Sequence, residues 1–293
     1  MFRIRMDKLF FDNDKYYYHG ELFSGVAFEF KEGDLKQATE YQMGEPLKAY
    51  SSEFLADTKG QLRIDSDFLE PENEEDYDPF QCYRGELFNG IAYDFESDGT
   101  CSGEILYVEG RSDSCVGYYK TGVLESLELI DSNFAQKFYW YEGKAIKQIE
   151  VFERDSFHVD FNFSETGGVT ALIIEGNYFG RIKSVKDKLK FNVFEEKDFA
   201  SDLFAGEHLY VSGSEINEDV FANLLANDGL RKTSKLRICR TPLSLVSLGK
   251  LVPLENITEL YVESEALTLE DLQNFKSQRP DCFVEFNREE VTA

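Results

Sequence analysis

The chain has 293 residues, with 56 acidic side chains against 31 basic ones and a formal net charge of −25. A hydrophobic fraction of 42% supplies enough apolar surface for a real core and excludes wholesale disorder. Such acidity repels nucleic acid and anionic membrane surfaces, and it favours encounter with basic proteins.

No apolar run of signal-peptide length follows Met1-Phe-Arg3-Ile-Arg5-Met-Asp7-Lys8, and nothing approaches the ~18 apolar residues of a membrane span. The expected location is therefore cytoplasmic, with no membrane contact. The five cysteines, Cys82, Cys101, Cys115, Cys239 and Cys282, are too widely spaced for a zinc knuckle or a disulfide framework and read as reduced thiols.

One phrase occurs twice. Tyr18-His-Gly20-Glu21-Leu22-Phe23-Ser-Gly25-Val-Ala27-Phe-Glu-Phe30 returns as Tyr83-Arg-Gly85-Glu86-Leu87-Phe88-Asn-Gly90-Ile-Ala92-Tyr-Asp-Phe95. Its alternating runs, Val26–Phe30 and Ile91–Phe95, read as strands, and Gly33 and Gly99 read as hairpin turns. Thr166-Gly167-Gly168 reads as a later turn between Phe161–Phe163 and Leu172–Ile174. Residues 1–195 hold 35 of the 43 aromatic side chains, so a domain boundary is expected near 195–205.

This pattern resembles the MORN-type repeat, in the divergent version of bacterial antitoxin-like and immunity-like proteins. The resemblance is carried by Tyr18, Gly20, Gly25, Phe30, Gly33 and Tyr41, then by Tyr83, Gly85, Gly90, Phe95, Gly99 and Tyr107. It implies hairpins stacked into one long antiparallel sheet. Residues 51–80 and the text after Gly143 depart from it. Within the first of these, Glu70-Pro-Glu72-Asn-Glu74-Glu75-Asp76-Tyr77-Asp78 reads as an exposed loop, either a solvated spacer or an acidic finger for a basic partner.

The second half changes period. Short apolar strands at His208–Val211, Lys235–Cys239, Thr258–Val262 and Cys282–Phe286 alternate with helical text. Asn217 reads as one helix cap, Thr241-Pro242 as a second start, and Thr268-Leu-Glu-Asp271 as a capping box. Strand–helix units at steps of 27, 24 and 24 residues resemble leucine-rich repeats over about 205–287. The expected fold class is α+β: an antiparallel β-hairpin repeat sheet at 1–195, followed by a small α/β leucine-rich-like repeat domain at 196–293.

Catalytic motifs are weak. Asp12-Asn-Asp14 opens like a calcium loop, but Tyr17 stands where the loop needs glycine and Phe23 where it needs glutamate. His19, His158 and His208 have no metal-ligand spacing. There is no Gly-x-Ser-x-Gly and no phosphate loop, and Lys183, Lys186, Lys188 and Lys190 form too small a cluster for nucleic acid. No cofactor, no metal and no enzyme activity are expected. The expected function is a protein-binding immunity protein or antitoxin that occludes the active site of a basic toxin domain. Its partner-binding residues are Glu72, Glu74, Glu75, Asp76 and Asp78, with Tyr210, Arg237, Tyr261 and Glu263 on the outward strand face. A structural scaffold or assembly module is the competing expectation.

Overall fold

The computed structural model describes residues 1–55, 61–73, 75, 79–131, 134–153, 157–167, 169–176, 208–225 and 233–292. The chain divides into two compact units, Met1–Asp131 and Ser132–Ala293. The boundary expected near 195 lies outside the described residues, as does the lysine cluster at 183–190.

The α+β expectation is corrected: the protein is mostly β, 53% strand and 12% helical, with eighteen strands in mixed sheet. The helical text overstated its share because the three helices among the described residues run only 8, 7 and 10 residues. None of them is long and apolar enough to cross a membrane.

In the first unit, the repeated phrase is part of a longer duplication. Copy one contains β1 (Arg3–Arg5), β2 (Phe10–Asp12), β3 (Lys15–Tyr18), β4 (Glu21–Leu22), β5 (Gly25–Lys31), β6 (Asp34–Gln42) and β7 (Glu45–Ala49). Copy two contains β8 (Leu62–Asp65), β9 (Glu70–Pro71), β10 (Gln81–Tyr83), β11 (Glu86–Leu87), β12 (Gly90–Phe95), β13 (Cys101–Val108) and β14 (Arg111–Tyr118), followed by β15 (Leu124–Asp131). Each copy opens with a short strand and a 3-10 turn, at Met6–Lys8 and Ser66–Phe68.

The expectation of stacked antiparallel hairpins is corrected here. Each opening strand pairs in parallel with the phrase strand of its own copy, Ile4 opposite Ala27 and Ile64 opposite Ala92. A parallel partner must come from a distant segment, so this strand left no hairpin signal in the sequence. Ile4 and Ile64 are both 0% exposed and nucleate matching cores. One core gathers Phe23, Ala27 and Tyr41 around Ile4, and the other gathers Tyr83, Phe88 and Ala92 around Ile64.

The two copies then exchange contacts. The Arg5 N–H donates to Gly99 O and the Asp65 N–H donates to Gly33 O, each at 2.9 Å. Ile4 bridges to Thr100, and Ile64 pairs with Asp34 at the equivalent place. Arg5 and Asp65, which occupy the same position in the two copies, form an ion pair. Phe28 meets Tyr93 at 4.8 Å and Phe30 meets Phe95 at 5.5 Å, again like against like. Gly33 and Gly99 share φ of 86°. A Cβ there would stand 2.7 Å from the Phe68 ring and 2.6 Å from the flexible Lys8 side chain, so both turns favour glycine chiefly for its backbone.

Copy two also buries a charge. Glu104 on β13 is 0% exposed and accepts from the Tyr50 hydroxyl at 2.5 Å and the Tyr118 hydroxyl at 3.1 Å. The Arg3 guanidinium lies 3.8 Å over the Tyr118 ring, with its Nε 3.7 Å from Glu104. Burial, and then the Glu104 carboxylate, hold both phenols well above the usual tyrosine range. Register places Ala38 at the matching site of copy one, since Ala38 faces Phe28 as Glu104 faces Tyr93.

In the second unit, β16 (Phe134–Trp140), β17 (Ile146–Glu153), β18 (Phe157–Phe163) and β19 (Val169–Gly176) form an antiparallel meander. Next come β20 (His208–Ser212), α1 (Glu218–Leu225), β21 (Lys235–Cys239), α2 (Leu245–Leu251), β22 (Glu259–Glu263), α3 (Leu269–Gln278), β23 (Phe283–Phe286) and β24 (Glu289–Glu290). Strands β20 to β23 pair in parallel, and β19 pairs in parallel with β20. The strand–helix segment therefore extends the meander's sheet and is not a small α/β domain of its own.

The matched cores set the first test. Ile4→Ala and Ile64→Ala are each expected to lower the unfolding free energy by about 2–5 kcal/mol in urea denaturation, by similar amounts. A loss below about 1 kcal/mol at either position would contradict the equivalence of the two cores.

Candidate protein-binding face

Alternation along the parallel strands divides two faces. Leu209 and Val211, Leu236 and Ile238, Leu260 and Val262, and Val284 and Phe286 are buried. A further buried aliphatic stands seven residues after the first of each pair, at Ile216, Leu243, Leu267 and Val291. This seven-residue spacing is present in the sequence.

Caps fix where the helices start. Asn217 Oδ1 accepts from the Val220 N–H at 3.1 Å, and Thr268 and Asp271 form the expected capping box. The second helix differs from expectation: its cap is Ser244, not Thr241, with the Ser244 hydroxyl accepting from the Val246 N–H. Arg279, almost fully buried, donates to Leu254 O and Ile257 O at 2.9 Å each and fixes the preceding loop.

The other face carries Tyr210, Arg237, Tyr261 and Glu263. Register aligns Tyr139, Gln148, Asn162, Ala171, Tyr210, Arg237, Tyr261 and Glu285 across eight strands. Arg237 is exposed, and Tyr210, Tyr261 and Glu263 are half-buried. The Arg237 guanidinium lies 5.8 Å over the Tyr210 ring and pairs with Glu263 at 2.9 Å. Lys235 lies 4.6 Å over Tyr261 and pairs with Glu259 at 3.0 Å, while the Tyr261 hydroxyl donates to Glu259 at 2.8 Å. The bond to Arg237 holds the Glu263 carboxyl below its usual range, and the bond to Tyr261 does the same for Glu259. Each cation is thus offset by a carboxylate and backed by a ring, which fixes its direction.

The same face holds a titratable group on β17 and β18. His158 Nε2 lies 3.0 Å from Glu150, and Asp160 accepts from Gln148 at 3.0 Å and Asn162 at 3.1 Å. The Glu150 bond raises the His158 imidazole above its usual value, and the pairing lowers Glu150. Burial raises Asp160.

The acidic segment belongs to the first unit. Glu72 and Glu75 are exposed in the first unit, with the Glu72 N–H donating to Phe80 O at 2.8 Å and the Glu75 N–H to Asn73 Oδ1 at 3.2 Å. Glu74, Asp76 and Asp78 lie outside the described residues. Sequence reasoning also missed an open crevice of about 800 Å³ at the carboxyl ends of β20–β23, lined by Ser214, Arg240, Thr241, Ser264, Asn287 and Arg288 among others. Arg240 and Arg288 have φ of 51° and 72°, as the chain turns sharply there. Among the described residues no cluster of three His, Cys, Asp or Glu side chains is placed to hold a metal ion.

No family model matches the chain, and no curated protein matches its sequence. Three solved structures show weak similarity. A glycosylation-associated protein complex, Gap123, from Streptococcus agalactiae is 12% identical with a TM-score of 0.21, over 75% of this chain and 51% of that one. A GtfA/B complex bound to UDP and GlcNAc is 10% identical with a TM-score of 0.20, over 80% and 60%. Accessory secretory protein 1, 2 and 3 of Streptococcus pneumoniae is 12% identical with a TM-score of 0.19, over 74% and 41%. The chain covers less than two thirds of each of these proteins, and likeness at this level carries no argument about fold or function.

The His158 pair sets a pH test. The part due to His158 is complete below its usual value of 6.5 and fades as pH rises through its elevated value. The part due to Glu150 is present above 4.5 and fades as pH falls through its lowered value. Asp160 and Glu175 also favour the imidazolium, and Lys137 acts on Glu150. The urea midpoint is expected to fall between about pH 5.5 and about pH 8, and His158→Gln is expected to flatten that fall. An unchanged slope in the variant would contradict the pairing.

Proposed function

We propose that this protein is a non-catalytic binding protein of the immunity or antitoxin kind, which covers the active site of a basic toxin domain. The observation that carries this reading is the in-register row Tyr210, Arg237, Tyr261 and Glu285 on parallel strands. Tyrosine and arginine dominate the energetics of protein interfaces, because they bring large contact area and directed hydrogen bonds at little entropic cost. Here they stand in a repeated array on a rigid sheet, already oriented by Glu259 and Glu263.

The charge supports a basic partner. A net charge of −25 speeds encounter with a basic domain, and a nuclease-type toxin is basic because it must bind phosphates. Binding by occlusion asks for no chemistry from this chain, only for a surface that excludes substrate.

The test is capture from the native host followed by calorimetry on the purified partner. A basic protein is expected, with affinity falling at least about tenfold between about 50 and about 300 mM salt. Tyr210→Ala and Tyr261→Ala are each expected to weaken binding by about tenfold, or about 1.4 kcal/mol. A partner whose affinity ignores both salt and these substitutions would overturn the reading.

A further inference from the structure

The crevice at the carboxyl ends of β20–β23 lies wholly within the second unit. Open sheets of parallel strands and helices hold their ligands on this side, where the loops leave the strands. Its volume of about 800 Å³ falls within the roughly 300–1,000 Å³ of small-molecule sites.

Register compares the loops with one another. Counting on from the paired strand ends, Gly213, Arg240, Ser264 and Arg288 occupy one position of the repeat. Glycine and serine fill it in two repeats, and arginine in the other two. Arg240 and Arg288 adopt φ of 51° and 72°, a left-handed backbone that is less favourable for a side chain than for glycine. The fold therefore does not ask for arginine here. Ion pairing does not account for it either. Arg240 lies 3.5 Å from Glu175 and Arg288 lies 3.7 Å from Glu263, with the two guanidinium side chains 68% and 83% exposed. Pairs so long and so wet contribute little to stability. Glu263 already has a closer partner in Arg237, at 2.9 Å.

The crevice also carries the opposite charge. Glu265, exposed on the same wall, pairs with no cation among the described residues. Two hydroxyls that line it are incompletely used. Ser264 Oγ accepts from the Ala266 and Leu267 N–H groups at 3.1 and 3.3 Å, which leaves its own O–H to donate. Thr241 is 4% exposed, and its hydroxyl has no hydrogen-bond partner among the described residues. Buried hydroxyls normally have one.

We propose that this crevice binds a small zwitterion of the α-amino-acid class, in which a carboxylate stands a few bonds from a cationic nitrogen. The Arg240 and Arg288 guanidiniums take the carboxylate through paired N–H···O bonds, and Glu265 takes the ammonium group. Charge selects this ligand. A plain anion would meet Glu263, Glu265 and a chain of net charge −25, and a plain cation would meet both arginines. The last residue of a peptide ending in lysine offers the same pair of groups. The proposal does not rest on the protein-binding reading, since it uses the loops after the strands and not the Tyr210–Tyr261 ladder.

The probe is L-lysine, whose two ammonium groups stand at two distances from its carboxylate, titrated calorimetrically into the full chain. Cadaverine, which lacks the carboxylate, and hexanoate, which lacks the nitrogens, are the controls. L-lysine is expected to bind with a Kd of about 1 mM or tighter, and each control at least about tenfold more weakly. Arg240→Gly and Arg288→Ser install residues that the repeat already carries at this position. Each is expected to weaken L-lysine by about tenfold and to leave the melting temperature unchanged. Glu265→Gln is expected to bring L-lysine down to the affinity of hexanoate. An acetylated peptide ending in lysine separates the two sources: tighter binding than L-lysine assigns the site to a chain end, and weaker binding assigns it to the free amino acid. The proposal is overturned if the wild-type protein binds L-lysine no better than both controls, or if the two arginine variants leave its affinity unchanged. Either failure leaves the protein-binding reading standing, because that reading is tested through Tyr210→Ala and Tyr261→Ala.

Discussion

Two hydrogen bonds hold the first unit to its arrangement: Arg5 N–H to Gly99 O, and Asp65 N–H to Gly33 O. Each joins the opening strand of one copy to the hairpin turn of the other. Strands of three and four residues with one parallel partner each leave half of their backbone groups without a partner from that pairing, and burial makes that costly. Neither opening strand can satisfy its buried backbone within its own copy. The turn that does so belongs to the other copy, and the aromatic pairs Phe28–Tyr93 and Phe30–Phe95 close over the junction. The Arg5 guanidinium, 4.6 Å over the Phe95 ring, adds a charged lid that Asp65 neutralises.

Much of this was legible in the sequence, and what was hidden shares one physical origin. The phrase strands, their glycine turns and the outward rows on the parallel strands follow from alternation and turn chemistry, which are local properties. Ile4 and Ile64 sit in short texts, Arg3-Ile-Arg5 and Arg63-Ile-Asp65, that show no periodicity at all. Their strand character comes wholly from partners tens of residues away. The same applies to the helical share, where caps were read well at Asn217 and Thr268 while Ser244 was passed over for Thr241. Of the candidate site, the strand residues Tyr210, Arg237, Tyr261 and Glu263 share one face because a two-residue period and a parallel register allow nothing else. The crevice beside Arg240 and Arg288 was not legible, because it depends on how four loops leave the sheet.

The two copies also separate what folding fixes from what it leaves open. Positions that pack against each other stay alike, as at Phe23 and Phe88 or Ala27 and Ala92, all buried. Positions facing water differ between the copies, as at Phe10 and Glu70 or at Lys8 and Phe68. One interior difference is Glu104 in the place of Ala38: its Oε1 accepts from the Tyr50 and Tyr118 hydroxyls, with Arg3 Nε 3.7 Å away. A buried carboxylate is tolerated only with such partners, so all four residues form one unit of change. The second unit uses a different device, repeating a strand, a helix start and a buried aliphatic to present one outward ladder.

The most direct test of this account is native-state hydrogen exchange at the Arg5 and Asp65 amides. If the exchange of contacts between copies is what holds the first unit, both amides exchange only through opening of the whole unit, with the same free energy and the same denaturant dependence. If either amide exchanges through a smaller opening confined to its own copy, the copies are independently stable and the account fails.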